Sequence, residues 1–235
     1  QKYAAGGPMS EAERRKIMSR RPLTVEHANL IRERVSDADL VGAELWSFGH
    51  TAKYRDIATN GNLTICGGTP EYAENNTHYV QLGRNLTAED VQVGRSCVLL
   101  GYGVAEKLFP WTDPLQKTIK IDGHSFQVIG VLEEKKSSLG GGFDNYLIMP
   151  ISKFERMFTE RDQFGRDRSV NITVRAKRPE LLNDTIEETR AVLRQSRGLK
   201  PQQEDDFTIF TNDSQIKTFH QTTAGIKTGS FVIGM

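Results

Sequence analysis

The sequence predicts an α+β fold built as two packed parts, and three observations predict it. An Asp122-Gly123 pair lies between alternating apolar positions, Ile119 and Ile121 before it and Phe126 and Val128 after it, which marks a tight β-hairpin. Segments with a 3.6-residue apolar period, each opened by a capping residue or a proline, occur at 24–35 and 179–198. At 235 residues with 37% hydrophobic side chains, the chain can fill one large core or two small ones.

Along the chain, residues 1–23 are polar, with Lys2, Arg14, Arg15, Lys16, Arg20 and Arg21 against Glu11 and Glu13 only. This stretch reads as a basic leader or linker, with a solvated tail favoured over a segment lying on an anionic surface. Thr24 caps a helix through about Val35, with Val25, Ala28, Ile31 and Val35 on one face. Leu40 to Ile57 is rich in aromatic and β-branched residues and reads as extended; Asn60-Gly61 turns it and Asn62 to Cys66 returns. Thr69-Pro70-Glu71 starts a short helix as N-cap, proline and first-turn acid.

A second block opens near Gly83. Thr87 and Asp90 form a capping box with Asp in the usual Glu place. Ser96 to Leu100 is a short buried strand, followed by a helix with Val104, Ala105, Leu108 and Phe109 on one face. After the hairpin of 118–132, Gly140, Gly141 and Gly142 form a candidate flexible loop. Tyr146 to Met149 is a strand, and Ser152 and Glu155 form the capping box of the next helix. In the third block Val170, Ile172 and Val174 alternate as a strand. Pro179 opens a helix that carries Leu182, Ile186, Thr189 and Leu193 and ends at Gly198. Phe207 to Thr211 is a further strand, so that strand, helix and strand form a parallel crossover.

The same residues exclude several functions. Lys plus Arg total 31 against 30 for Asp plus Glu, so the near-neutral chain lacks the basic balance of a nucleic-acid binder. No apolar run approaches the ~18 residues that cross a bilayer. The chain starts without Met or a signal pattern and reads as a fragment or a processed product. Gly101-Tyr102-Gly103 is half of a dinucleotide fingerprint, but Glu106 stands where the third glycine belongs, so a tight strand-to-helix turn is the better reading. His27, His50, His78, His124 and His220 are scattered without metal-ligand spacing, and no nucleophile motif occurs. No catalytic, cofactor-binding or metal site is therefore assigned. Cys66 and Cys97 stay open between a bridge and two separate buried thiols.

The run from Val104 to Pro150 carries a resemblance. Val104-Ala105-Glu106-Lys107-Leu108-Phe109, Asp113-Pro114-Leu115-Gln116-Lys117-Thr118-Ile119, Ile121-Asp122-Gly123, Phe126-Gln127-Val128-Ile129-Gly130-Val131 and Ile148-Met149-Pro150-Ile151 follow one another in that order. With Arg21-Pro22-Leu23-Thr24 and the stretch from Tyr79 to Asp90, the chain resembles the extracytoplasmic, periplasmic core domain of MacB-type ABC transporter permeases over most of 20–220. Gln116 departs from the pattern, which carries glycine there.

The resemblance implies a porter-like lobe with βαβ units formed by both chain ends, residues 24–82 and 168–220, and a smaller inserted α/β lobe with the β-hairpin, residues 83–167. Residues 1–23 would follow a first membrane helix and 221–235 would lead into a second. It implies a non-catalytic domain on the periplasmic side of a bacterial cell membrane, transmitting ATP-driven motion to export substrate or drive an envelope partner. The implied partners are a second copy of the permease, a cytoplasmic ATP-binding domain or subunit, a periplasmic adaptor protein, and the membrane through flanking helices, with no cofactor and no nucleic acid. The alternative is a secreted ligand-binding module or hydrolase with a pocket between two lobes. A glycosylated extracellular domain, using Asn62 or Asn85 of six Asn-x-Ser/Thr sites, is a third reading.

Overall fold

The computed structural model describes residues 1–2, 10–135, 144–162 and 165–211. In chain order its elements are α1 (Glu11–Met18), α2 (Val25–Arg34), β1 (Ala38–His50), β2 (Ala52–Tyr54), β3 (Ile57–Ala58), β4 (Leu63–Gly68), α3 (Tyr72–Asn75), β5 (Val80–Gly83), α4 (Ala88–Val93), β6 (Cys97–Leu100), α5 (Tyr102–Leu108), β7 (Thr118–Ile121), β8 (His124–Leu132), β9 (Tyr146–Pro150), α6 (Ile151–Met157), β10 (Asn171–Ala176), a single 3₁₀ turn at Pro179–Leu181, and α7 (Leu182–Ser196).

All ten strands join one sheet in the order β10-β1-β4-β9-β6-β8-β7-β2-β3, with β5 added to β8. β4 with β9 and β6 with β8 run parallel; the remaining pairs are antiparallel. The central strands are covered on both faces, and all of β6 and β9 is buried accordingly. On one face Leu63, Ile65 and Met149 pack with Ala28 and Ile31 of α2, Phe154 of α6 and Leu193 of α7. On the other, Cys66, Cys97, Leu99 and Ile148 pack with Tyr72 and Ala73 of α3. α6 sits so close to β4 that a Cβ added at Gly67 would stand 2.4 Å from the Phe154 Cβ.

Most elements form where the pattern places them. The Asp122-Gly123 turn joins β7 to β8 with φ of 47° and 87°, the two positive values a primed turn needs. The Thr87 hydroxyl accepts from Asp90 N at 3.2 Å, and the Asp90 carboxylate accepts from Thr87 N at 3.0 Å. Arg84 and Arg95 close on the same buried carboxylate. Gly101 starts α5, and a Cβ there would lie 2.6 Å from the Asp144 carbonyl oxygen, so the G-x-G pair serves a close turn.

Four expectations are corrected. Phe207 to Thr211 is no strand and completes no parallel crossover: Thr208 instead exchanges backbone hydrogen bonds with Gln1, and β10 runs antiparallel to β1 at the sheet edge. The Thr69 hydroxyl accepts from Ala43 N at 3.0 Å, holding β1 rather than capping α3. The Ser152 hydroxyl donates to the Val91 carbonyl, tying α6 to α4, because α6 begins two residues earlier than expected, with Pro150 as its N-cap and Ile151 as its first residue. The leader contains α1, opened by a Ser10–Glu13 capping box; α1 buries no residue and so left no apolar period to read.

Candidate functional site

At the C-terminal end of α7 the first and last described segments are stitched together. Arg197 follows the helix, and Gly198, at φ 65°, turns the chain back. Its guanidinium is 2% exposed and grips Asp206 in two-pronged fashion, Nε to Oδ1 at 2.6 Å and Nη2 to Oδ2 at 2.7 Å. The remaining N–H groups reach the other segment: Nη1 donates to the Pro22 carbonyl at 3.2 Å and Nη2 to the Arg21 carbonyl at 2.8 Å. Arg21 in turn donates to the Arg197 carbonyl at 2.5 Å. Arg20 bridges the Lys2 carbonyl at 3.0 Å and the Thr208 hydroxyl at 2.8 Å.

Burial would raise the Asp206 carboxyl, but its hydrogen bonds to Arg197 and the charges of Arg197 and Arg21 outweigh it, so it sits below the usual carboxylate range. Asp205 is held by Arg194 at 2.6 Å and Arg190 at 3.1 Å, which locks residues 200–206 onto α7. The junction continues into the sheet through Leu23, whose N–H donates to Ser169 Oγ and whose carbonyl accepts from Val170 N, both at 2.9 Å. Such an arrangement does no bond chemistry. It makes residues 1–2, 20–23 and 197–208 one mechanical unit with α7 and the start of β10.

Two further features stand out. An open cleft of about 470 Å³ lies between β5 and α5, lined by Leu82, Tyr102, Ala105, Phe109, Pro110 and Pro114, with Trp111 93% exposed next in the chain. Beneath α3, the buried Tyr72 ring stacks on His78, and His78 Nδ1 lies 2.5 Å from the Tyr146 hydroxyl, while Lys135 Nζ lies 3.5 Å from Nε2. Burial, then the Lys135 charge, lowers the His78 pKa to about 4.

The residues singled out from the sequence are distributed as follows. Asp122 and Gly123 form the hairpin turn, and the Asp122 carboxylate also accepts from Thr51 N at 3.1 Å and meets His50 Nδ1 at 2.6 Å. Gly140, Gly141 and Gly142 lie outside the described residues, as do 212–235. Cys66 and Cys97 are both free and buried within one apolar cluster. The Asn85 amide donates inward to the Pro70 carbonyl at 2.9 Å. Among the described residues no group of three or more His, Cys, Asp or Glu could hold a metal ion, and no helix is long and apolar enough to cross a membrane. The Arg197 junction was missed because its partners lie 175 residues apart in sequence and only 9 apart on the acidic side; the Asp205-Asp206 pair after a basic helix end was the readable half of it.

Comparison with known proteins gives a consistent result. Residues 3–192 match the family model for the MacB-like periplasmic core domain. The macrolide export ATP-binding/permease protein MacB of Hahella chejuensis is 30% identical over 174 residues, covering 73% of this chain and 24% of that protein. MacB of Nitrobacter winogradskyi is 31% identical over 195 residues, covering 82% and 28%. The chain thus spans about a quarter of the length of these relatives. The crystal structure of the periplasmic region of MacB from Actinobacillus actinomycetemcomitans superposes with a TM-score of 0.69 over 90% of this chain and 89% of that one, at 21% identity, a likeness of fold.

Proposed function

The chain belongs to the family of MacB-like periplasmic core domains, and from that premise we propose that it works as a stiff relay in an ABC transporter. It is the periplasmic domain of a MacB-type permease. Its part in the cycle is to carry displacement from two flanking membrane helices to an envelope partner or to exported substrate, powered by a cytoplasmic ATP-binding domain or subunit. The lobe of residues 24–82 and 168–220 receives the motion, the insert of 83–167 delivers it, and residues 1–23 and 221–235 lead to the membrane. A second copy of the permease and a periplasmic adaptor complete the assembly.

The Arg197 junction is the observation that supports this reading. If both segments entering the domain were joined loosely, relative movement of two membrane helices would be absorbed locally. Tied through a buried guanidinium to α7 and the sheet, they pass it on to a packed body that resists deformation. Arg197→Ala would remove both short hydrogen bonds to Asp206, leaving it Arg21 at 3.8 Å, together with those to the Pro22 and Arg21 carbonyls, at a cost of about 3 kcal/mol. In the intact transporter, with the folded state confirmed by circular dichroism, the expectation is that ATP hydrolysis persists while export falls at least fivefold. Export kept at the wild-type rate would reject the relay.

A further inference from the structure

Ser47, His50 and Asp122 are hydrogen-bonded in series, and we propose that Ser47 is an activated nucleophile that takes the acyl group of small activated esters. His50 Nδ1 lies 2.6 Å from Asp122 Oδ2, and His50 Nε2 lies 2.8 Å from Ser47 Oγ. The carboxylate can only accept, so Nδ1 carries a proton, and in the neutral ring Nε2 is then the lone-pair nitrogen that faces the serine hydroxyl. This is the order of nucleophile, base and orienting acid, recognised by geometry whatever the sequence positions.

Local structure explains how residues so far apart meet. The β1–β4 register shifts between Ser47 and His50, with Gly49 at φ 83°, a bulge that folds the imidazole back over the serine. Asp122 reaches it from the hairpin turn, its other oxygen fixed by Thr51 N. The imidazole packs on Phe158, ring centroids 5.0 Å apart. Arg168 supplies a cation at the nucleophile: Nη2 is 3.4 Å from Ser47 Oγ, while Nη1 and Nε are fixed on the Trp46 and Thr159 carbonyls at 2.7 and 2.9 Å. A guanidinium held there stabilises negative charge developing on the Ser47 oxygen as its proton leaves. Ser47 is only 7% exposed, so the acyl donor must be small.

In the step, Ser47 Oγ bonds to the ester carbonyl carbon and the bond from that carbon to the leaving alcohol breaks. The serine proton passes to His50 Nε2 and on to the departing alkoxide. Water deprotonated by His50 then releases the carboxylic acid and restores the serine. The inference is independent of the relay function.

Two probes test it on the folded full chain: p-nitrophenyl acetate and a small alkyl fluorophosphonate, which loses fluoride as the Ser47 oxygen bonds to phosphorus. The expected result is a single adduct, mapped by mass spectrometry to Ser47, absent in Ser47→Ala. Asp122→Asn keeps the turn, since Asn tolerates positive φ, but removes the orienting charge, and should label at least tenfold more slowly. A merely structural chain would shift the thermal midpoint of these variants with no adduct in the wild type. No Ser47 adduct, an equal rate in urea, or wild-type labelling in a folded Asp122→Asn chain would each overturn the proposal.

Discussion

Gln116 is held at φ 62°, a conformation that costs a residue with a Cβ about 1–2 kcal/mol. Its N–H donates to the Val128 carbonyl at 2.9 Å and its side chain accepts from Gln127 at 2.8 Å, so the turn before β7 is retained under strain. Gln116→Gly should therefore raise stability by about 0.5–1 kcal/mol, seen as a higher urea midpoint at unchanged slope. A lower midpoint would mean that the Gln127 contact outweighs the backbone strain. His78 sets a second expectation at this scale. Its folded pKa of about 4 lies below the ~6.5 of an unfolded histidine. Between those values the unfolded chain binds a proton that the folded chain refuses, so its stability contribution is intact above pH 6.5 and is lost as pH falls toward 4, on the order of 3 kcal/mol in all. Urea midpoints measured from pH 7.5 to 4 should fall in that window, and His78→Phe should flatten the curve there.

α6 depends on the absence of a side chain beneath it. Gly67→Ala would drive a methyl into Phe154, and with Phe154 fully buried the expected cost is about 1–3 kcal/mol, measured by thermal or urea unfolding. Elements of this kind show what the sequence makes legible. α2, α4, α7 and the β7–β8 hairpin are each specified by neighbours in sequence, a cap, an apolar period or an Asp-Gly turn, and all four appear where the pattern places them. Thr69 and Ser152 look like caps and act across the fold instead, because a hydroxyl satisfies a distant strand or helix as readily as its own chain. Phe207 has the apolar residues of a strand but reaches no free sheet edge; it packs in the core while its neighbour Thr208 pairs with Gln1. The Arg197 junction and the Ser47–His50–Asp122 series are assembled from segments tens to hundreds of residues apart. Only the bulge at Gly49 and the acidic pair at 205–206 leave a local trace of them.

Across the molecule, one sheet runs from β10 to β3 without interruption and links the strands beside the Arg197 junction to those beside the Trp111 cleft. The parallel β4–β9 pair carries this connection through the buried interior, Ile65 beside Leu147. A body so joined should translate and rotate as a unit when its flanking segments move. The direct test is a pulsed spin-label distance measurement in the intact transporter, with labels at Lys200 near the junction and at the exposed Trp111, the buried Cys66 and Cys97 remaining unlabelled. The distance from 200 to 111 within one copy should stay constant between the nucleotide-free and ATP-trapped states, while the distance from 111 to 111 between two copies changes. A change within one copy as large as that between copies would contradict the stiff relay.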